Sequence, residues 1–180
     1  MINQLVTFLE ESNKIEREYS VEALHDAGEA WQYAVDKREN FGIDYICGIH
    51  GFLMGRLNPR IAGKLRKKTV YIVGRDSYGK QVIRRTILAK GNKSRLRKWC
   101  EQYASPKSAE EVREAHIDFE MIHPFIDGNG RTGRILYNVQ RLKLGLPIEI
   151  FYEFEKEKYY RWFADKQRKD DMIRIMLDEE

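Results

Sequence analysis

Apolar side chains recur every three to four residues over most of the chain, and the places where that rhythm stops are sharply marked. Ile2, Leu5, Val6 and Leu9 share one helical face, as do Val21, Leu24, Ala27 and Trp31, so the first 40 residues read as two amphipathic helices. A third helix is expected from Ile43 to Met54. Pro59 and Gly63 break the pattern, and the β-branched and aromatic runs Thr69–Val73 and Gln81–Ile83 flank a turn-rich Gly74–Gly79, which reads as one hairpin. Helical spacing resumes near Ser94, pauses at Ser105 and Pro106, and restarts at Ser108, where Glu111 three residues on makes a capping-box pattern. Val112, Ala115, Phe119 and Ile122 form the apolar face of that helix. After the glycine-rich break at 128–130, Ile135, Leu136, Val139 and Leu142 mark another helix that ends near Gly145 and Pro147, and two shorter helices close the chain. No repeat or long linker interrupts this order. The expected fold is therefore mainly α, a helical bundle with a small β-hairpin.

Composition narrows the picture further. With 180 residues, 42% of them apolar, the chain can build one core but not two, and its 33% charged residues suit a folded soluble protein. The stretch from Met1 to Glu11 carries acids instead of a basic leader, and the most apolar later run, Tyr45–Leu57, is broken by Gly48, His50 and Gly51. Neither a signal peptide nor a membrane span is expected. Cys47 and Cys100 are far apart and have no CxxC partner, which argues against a disulfide framework or a zinc site and points to a cytoplasmic location. The net charge of +4 hides an asymmetry: residues 55–98 hold 15 Lys or Arg and a single acid, Asp76. Such a block attracts nucleic acid, an acidic protein surface or a phosphorylated ligand, or is simply a solvated face, and charge alone does not choose among them.

The chemistry concentrates in His123–Arg134, which reads His-Pro-Phe-Ile-Asp-Gly-Asn-Gly-Arg-Thr-Gly-Arg and lies between two amphipathic helices. The consecutive N–H groups of Gly128, Asn129 and Gly130 can curl around an anion at the positive end of the following helix, and two of the three positions carry no β-carbon to obstruct it. Arg131 and Arg134 fall in that helix's first turn, where the macrodipole disfavours a cation, so each calls for a compensating anion such as a phosphate. Asp127 precedes the glycines and is placed to hold Mg²⁺, which takes one or two protein carboxylates and completes its shell with phosphate oxygens and water. His123, at the end of the preceding helix, can accept a proton at neutral pH. His116 is seven residues away, two turns along the same helix; it is too far to share a metal with His123 and reads as structural.

These twelve residues resemble the signature of the Fic family, His-Pro-Phe-x-(Asp or Glu)-Gly-Asn-Gly-Arg-x-x-Arg, with every specified position filled. The resemblance extends over roughly Ile43 to Leu177, through His50, the run Ala62-Gly63-Lys64-Leu65-Arg66 and His116. It implies a Fic-fold catalytic core over 41–180, preceded by N-terminal helices over 1–40, and a protein adenylyltransferase that moves AMP from Mg-ATP to a Ser, Thr or Tyr hydroxyl. His123 would take the hydroxyl proton and Asp127 would hold Mg²⁺. The Gly128–Gly130 backbone, with Asn129 and Arg131, would grip the phosphates, and Arg134 the γ-phosphate. Phe125 is expected to anchor the loop. A branch of the family similar to the Doc toxin transfers phosphate instead, with Ala-Asn-Lys where this chain has Gly128-Asn129-Gly130; the second glycine leaves room for the β- and γ-phosphates and favours AMP transfer.

The same resemblance assigns roles outside the loop. The hairpin, at Thr69, Val70, Tyr71, Ile72 and Val73, would be a flap that pairs with an extended segment of the target protein. Glu157-Lys158-Tyr159-Tyr160 is similar to the segment near which adenine binds, with Tyr160 beside the base and Gln167 offering an amide. Ser12-Asn13-Lys14-Ile15-Glu16-Arg17 resembles the family's inhibitory motif, (Ser or Thr)-x-x-x-Glu-(Gly or Asn), and implies that Ser12 and Glu16 face Arg134, where Glu16 would take the place of the γ-phosphate. Arg17 departs from the motif's Gly or Asn. A membrane partner is not expected and a homo-oligomer is compatible with the sequence. The alternatives are transfer of another nucleotide or a phosphate group by the same fold, or a basic nucleic-acid-binding module, a reading that leaves the signature loop unexplained.

Overall fold

The computed structural model describes residues 2–75, 81–85, 89–163 and 166, with the backbone alone of 2, 72–75 and 81–85. Its elements run α1 (Ile2–Ile15), α2 (Val21–Asp36), α3 (Ile43–Met54), β1 (Tyr71–Arg75), β2 (Gln81–Arg85), α4 (Ala89–Tyr103), α5 (Ala109–Ile122) and α6 (Asn129–Lys143); a 3₁₀ turn at Glu153–Glu155 then leads into helical residues 156–163. The architecture is mainly α, as the periodicity predicts, and α3 has the expected limits. None of the helices among the described residues is long and apolar enough to cross a membrane.

Local chemistry sets the helix starts. Ser20 caps α2 by accepting from the N–H of Ala23 at 3.2 Å, and Ser108 caps α5 by accepting from Glu111 at 3.2 Å. Glu111 reaches back one residue beyond the usual capping-box partner, its Oε2 accepting from the N–H of Lys107 at 2.6 Å. The start of α4 lies five residues before the expected Ser94. The segment Ala89–Lys93 lacks an apolar stripe, but Asn92, 1% exposed, ties it to the core by donating to the Pro124 carbonyl at 2.9 Å.

The helices wrap α6, which packs against α1, α2, α3 and α5. This helix departs from the expected one-sided pattern. Every residue from Arg131 to Gln140 is buried, whereas Leu142, expected inside, is 36% exposed. A fully surrounded helix must pair its polar groups internally. Thr132 bonds to the Gly128 carbonyl at 2.8 Å, Asn138 exchanges two hydrogen bonds with the main chain of Glu149, and Gln140 donates to Tyr103 O at 2.7 Å. The inward faces of α1 and α2 are also rotated from the expected ones: Val6 and Val21 point to solvent, while Phe8, Leu9, Ala23, Ala27, Ala30, Trp31 and Ala34 pack inward. Alanine weighs little in a hydrophobicity count, yet Ala23, Ala27, Ala30 and Ala34 form much of the buried face of α2. A second apolar cluster joins Ile15, Val112, Tyr137, Phe151 and Tyr159, with Trp162 and Phe163 packed on it.

The two strands pair antiparallel, Tyr71 opposite Arg85 and Val73 opposite Ile83. They are displaced from the expected limits. Thr69 and Val70 precede β1, while Gly74 and Arg75, expected in the turn, pair with Val82 and Gln81. β-propensity marks the neighbourhood of a strand; its ends are set by the cross-strand register.

Candidate active site

The signature loop is held open by hydrogen bonds that none of its glycines could supply. α5 ends at His123, whose left-handed backbone (φ 51°) turns the chain out of the helix, with its N–H still bonded to Phe119 O at 2.9 Å. Arg66, arriving from the segment before the hairpin, clamps this turn. Its Nε donates to His123 O at 2.7 Å, its Nη2 to Ile122 O at 3.3 Å, and its backbone N–H to Pro124 O at 2.9 Å. Asn129 closes the loop from the other end, its Oδ1 accepting from Phe125 N at 2.9 Å and its Nδ2 donating to Phe125 O at 3.1 Å. The carboxamide therefore shapes the loop, and what remains of Asn129 for a ligand is its backbone. Phe125 is fully buried and stacks on the His50 ring at 3.7 Å. His50 accepts from Gly63 N through Nδ1 at 2.9 Å, so its proton sits on Nε2 and is donated to Asp127 O at 3.0 Å. Burial lowers its pKa to about 4, which keeps this neutral tautomer in place.

The nest formed by Gly128, Asn129 and Gly130 opens α6. Gly128 has φ +73°, and a β-carbon there would lie 2.9 Å from Met54 Sδ and 3.2 Å from His50 Nε2. At Gly130 a β-carbon would run into Glu16 Oε1 and lie 2.9 Å from Arg134 Nη1. Asp127 is exposed beside the nest. Its Oδ1 accepts from Gly128 N at 2.6 Å, which orients the carboxylate and leaves its other oxygen for a cation. A single outward carboxylate at the mouth of an anion nest suits Mg²⁺ delivered with phosphates.

The two arginines differ. Arg131 is 5% exposed; its Nη2 reaches only Met54 Sδ, at 3.2 Å, and its Nε and Nη1 have no hydrogen-bond partner among the described residues. Burial lowers its pKa, a cost that Asp127 and Glu16 offset in part. A buried guanidinium with two unpaired nitrogens at a helix N-terminus calls for an anion. Arg134, 1% exposed, has a partner at each of its three nitrogens. Its Nε donates to Ser12 Oγ at 2.9 Å, its Nη2 to Ser12 O and to Glu16 Oε1, each at 2.8 Å, and its Nη1 to Tyr159 Oη at 3.4 Å. Burial disfavours its charge, but Tyr159 and Glu16 outweigh burial and its pKa is raised.

Glu16 owes its position to the end of α1. Arg17 N bonds to Lys14 O at 2.9 Å and Glu18 N to Asn13 O at 3.0 Å, the paired bonds of a Schellman turn. That turn demands a left-handed residue, and Arg17 supplies it at φ 59°. The motif position that favours Gly or Asn is thus the left-handed residue that ends the helix just past Glu16.

His123 keeps 20% of its side-chain exposure, and burial lowers its pKa to about 4, so the ring is neutral at physiological pH. Its buried nitrogen, Nδ1, lies 4.0 Å from Glu120 Oε2. Glu120 itself is pushed up to about 8, chiefly by burial, with Arg134 acting against that rise. Tyr160 is 41% exposed, and burial, then Glu16, raises its pKa. Gln167 lies outside the described residues, and Ile72 and Val73 are described by backbone alone. Sequence reasoning missed the scaffold: Arg66 and His50 as loop clamps, Asn92 beneath Pro124, Glu120 beside His123, and Tyr159 against Arg134. A pattern search over contiguous residues does not find Arg66, His50, Asn92 or Tyr159, because each acts across at least one change of element; Glu120 is only three residues from His123, on the helix that His123 ends.

Comparison with known proteins gives a consistent picture. The Fic/DOC family model matches residues 40–140. The protein adenylyltransferase Fic of Aedes aegypti is 30% identical over 132 residues, which is 70% of this chain and 24% of the relative; that of Culex quinquefasciatus is 31% identical over 128 residues, again 70% and 24%. The chain spans about a quarter of the length of these curated relatives. Among solved structures, a Fic family protein from Desulfovibrio desulfuricans G20 shares the fold with a TM-score of 0.77 at 22% identity, over 93% of this chain and 58% of that one. A Fic domain containing signaling protein from Bacteroides thetaiotaomicron does so with a TM-score of 0.75 at 16% identity, over 89% and 70%.

Proposed function

Because this chain belongs to the Fic/DOC family, we propose that it is a protein adenylyltransferase, moving AMP from Mg-ATP to a Ser, Thr or Tyr hydroxyl of a target protein, and that Glu16 is its built-in inhibitor. One observation carries the reading. The chain's own carboxylate already occupies one end of the nest, over Gly130 and 2.8 Å from Arg134. The other arginine of the nest, Arg131, has two nitrogens without a partner among the described residues. An anion longer than a carboxylate would satisfy both, and a triphosphate is such an anion.

With Glu16 withdrawn, the α- and β-phosphates would lie on the N–H groups of Gly128–Gly130 and on Arg131, and the γ-phosphate on Arg134. Mg²⁺, held by Asp127, would neutralise charge on the departing pyrophosphate. His123, neutral at pH 7, takes the proton from the incoming hydroxyl as its oxygen attacks the α-phosphorus in line with the leaving group. Arg66 fixes the backbone on which that imidazole turns. The β1–β2 hairpin would hold the target segment by strand addition, and Tyr160 would flank the adenine. The names of the relatives, each a protein adenylyltransferase, support the same activity.

Incubation with ATP labelled at the α-phosphate tests this. Label is expected on protein and lost by roughly 10²- to 10⁴-fold in His123→Ala. Label transferred from the γ-position instead would replace AMP transfer by phosphorylation. Nucleic-acid binding that survives His123→Ala, with no transfer of either label, would overturn the enzymatic reading.

A further inference from the structure

Arg134 is gripped from two directions. From one, α1 offers Ser12 and Glu16; from the other, Tyr159 offers its hydroxyl at 3.4 Å and its ring face, with the guanidinium carbon 5.6 Å from the centroid. Tyr159 is itself oriented, for its hydroxyl lies 2.9 Å from His116 Nε2. An arginine only donates, so the Tyr159 oxygen accepts from Arg134, and the hydrogen bond between the hydroxyl and His116 Nε2 fixes the direction in which the Tyr159 side chain points. Burial lowers the His116 pKa to about 3 and raises that of Tyr159 well above its usual value, so neither group changes charge near neutrality. Both rings are packed among Tyr137, Phe151 and Trp162.

We propose that Tyr159, oriented by His116, is the positioning residue that keeps Arg134 aimed at the terminal phosphate of the nucleotide once Glu16 has withdrawn. This rests on the proposed function and adds a component to it. Without Glu16, Arg134 loses the one carboxylate partner it has among the described residues, and a long arginine side chain then has more rotamers open to it. Ser12 still holds Nε and Nη2, and on the opposite side the hydroxyl and ring face of Tyr159 restrict the remaining freedom at Nη1 before the ligand arrives. Because Arg134 would meet only the third phosphate, the benefit falls on ATP and not on ADP. His116, which reads as a structural residue in the sequence, becomes the group that sets the direction of the Tyr159 hydroxyl.

The test compares MgATP and MgADP binding, by calorimetry, in Glu16→Gly and in Glu16→Gly with Tyr159→Phe. The phenylalanine keeps the ring and removes the oxygen. ATP affinity is expected to fall about tenfold, as for loss of a contact to a charged group, with ADP affinity within about twofold; unchanged ADP binding also shows that the site is folded. Equal losses for both nucleotides, or no loss for ATP, overturn the inference. Should the phenylalanine variant be too unstable to measure, His116→Phe leaves Tyr159 in place and removes the hydrogen-bond partner that orients it, and the same two outcomes decide. A Glu16→Gly parent that binds neither nucleotide overturns the proposed function together with this inference, whereas equal losses in a parent that binds both overturn this inference alone.

Discussion

The two sides of Arg134 are built from different materials. On the α1 side the contacts are polar and few, two to Ser12 and one to Glu16, and the element that carries them ends in a left-handed arginine. Glu16 keeps 35% of its side-chain exposure. On the far side, Tyr159 belongs to a cluster with Phe151, Tyr137 and Val112, each less than a tenth exposed. Burial of aromatic area is nondirectional and stays in place when a ligand arrives, whereas a carboxylate on an arginine is exchanged for any stronger anion of the right shape. The difference suggests a division of labour in which the wall, which Ile15 at the end of α1 joins, is permanent and the half-exposed Glu16 carboxylate is removable.

The largest effect should come from breaking the wall. Phe151 packs on Tyr159 at 4.8 Å and on Tyr137 at 5.4 Å between ring centroids. Phe151→Ala should cost about 3 kcal/mol of stability, read as a lowered denaturation midpoint, while Glu16→Gly should leave the midpoint much closer to that of the parent. If the two variants were equally destabilised, the α1 contact would be as structural as the cluster, and the contrast would fail.

Next in size is removal of the carboxylate. Glu16→Gly should raise self-labelling from α-labelled ATP at least tenfold, about 1.4 kcal/mol on the equilibrium between closed and open nests, and MgATP should then raise the thermal midpoint of the variant more than that of the parent. Unchanged labelling at equal folding would sink the proposed brake.

Legibility in the sequence follows the same division. The loop from His123 to Arg134 is contiguous, and its residue types are chemically constrained, so it could be read without coordinates. Glu16 could be read because its motif is also contiguous. The wall could not. Tyr159 and Tyr160 are adjacent aromatics on one helical stretch, and only packing shows that the first, 5% exposed, faces Arg134 while the second is 41% exposed. Likewise α6 reads as a one-sided helix because Asn138, Gln140, Thr132 and both arginines look like surface residues. Their burial depends on partners, such as Glu149 and Tyr103, that approach from other elements. Periodicity reports where apolar residues lie, but it cannot report which polar residues find partners in the interior.

The smallest predicted effect is also the most specific to this chain. A non-glycine residue in the left-handed region costs roughly 1–2 kcal/mol, and Arg17 bears that cost at the turn that presents Glu16. Arg17→Gly relieves it, and after the greater freedom of glycine in the unfolded chain is subtracted, roughly 0.5–1 kcal/mol should remain in favour of the ordered helix end. Basal self-labelling should then fall by about threefold. Arg17→Ala keeps the strain and removes the guanidinium, so it should leave the rate where it is; a threefold fall with alanine would assign the effect to charge instead. In the Glu16→Gly background the glycine at 17 should do nothing, because the turn then has no carboxylate to present. A fall in labelling in that background would mean that Arg17 acts on the nest by a route other than Glu16.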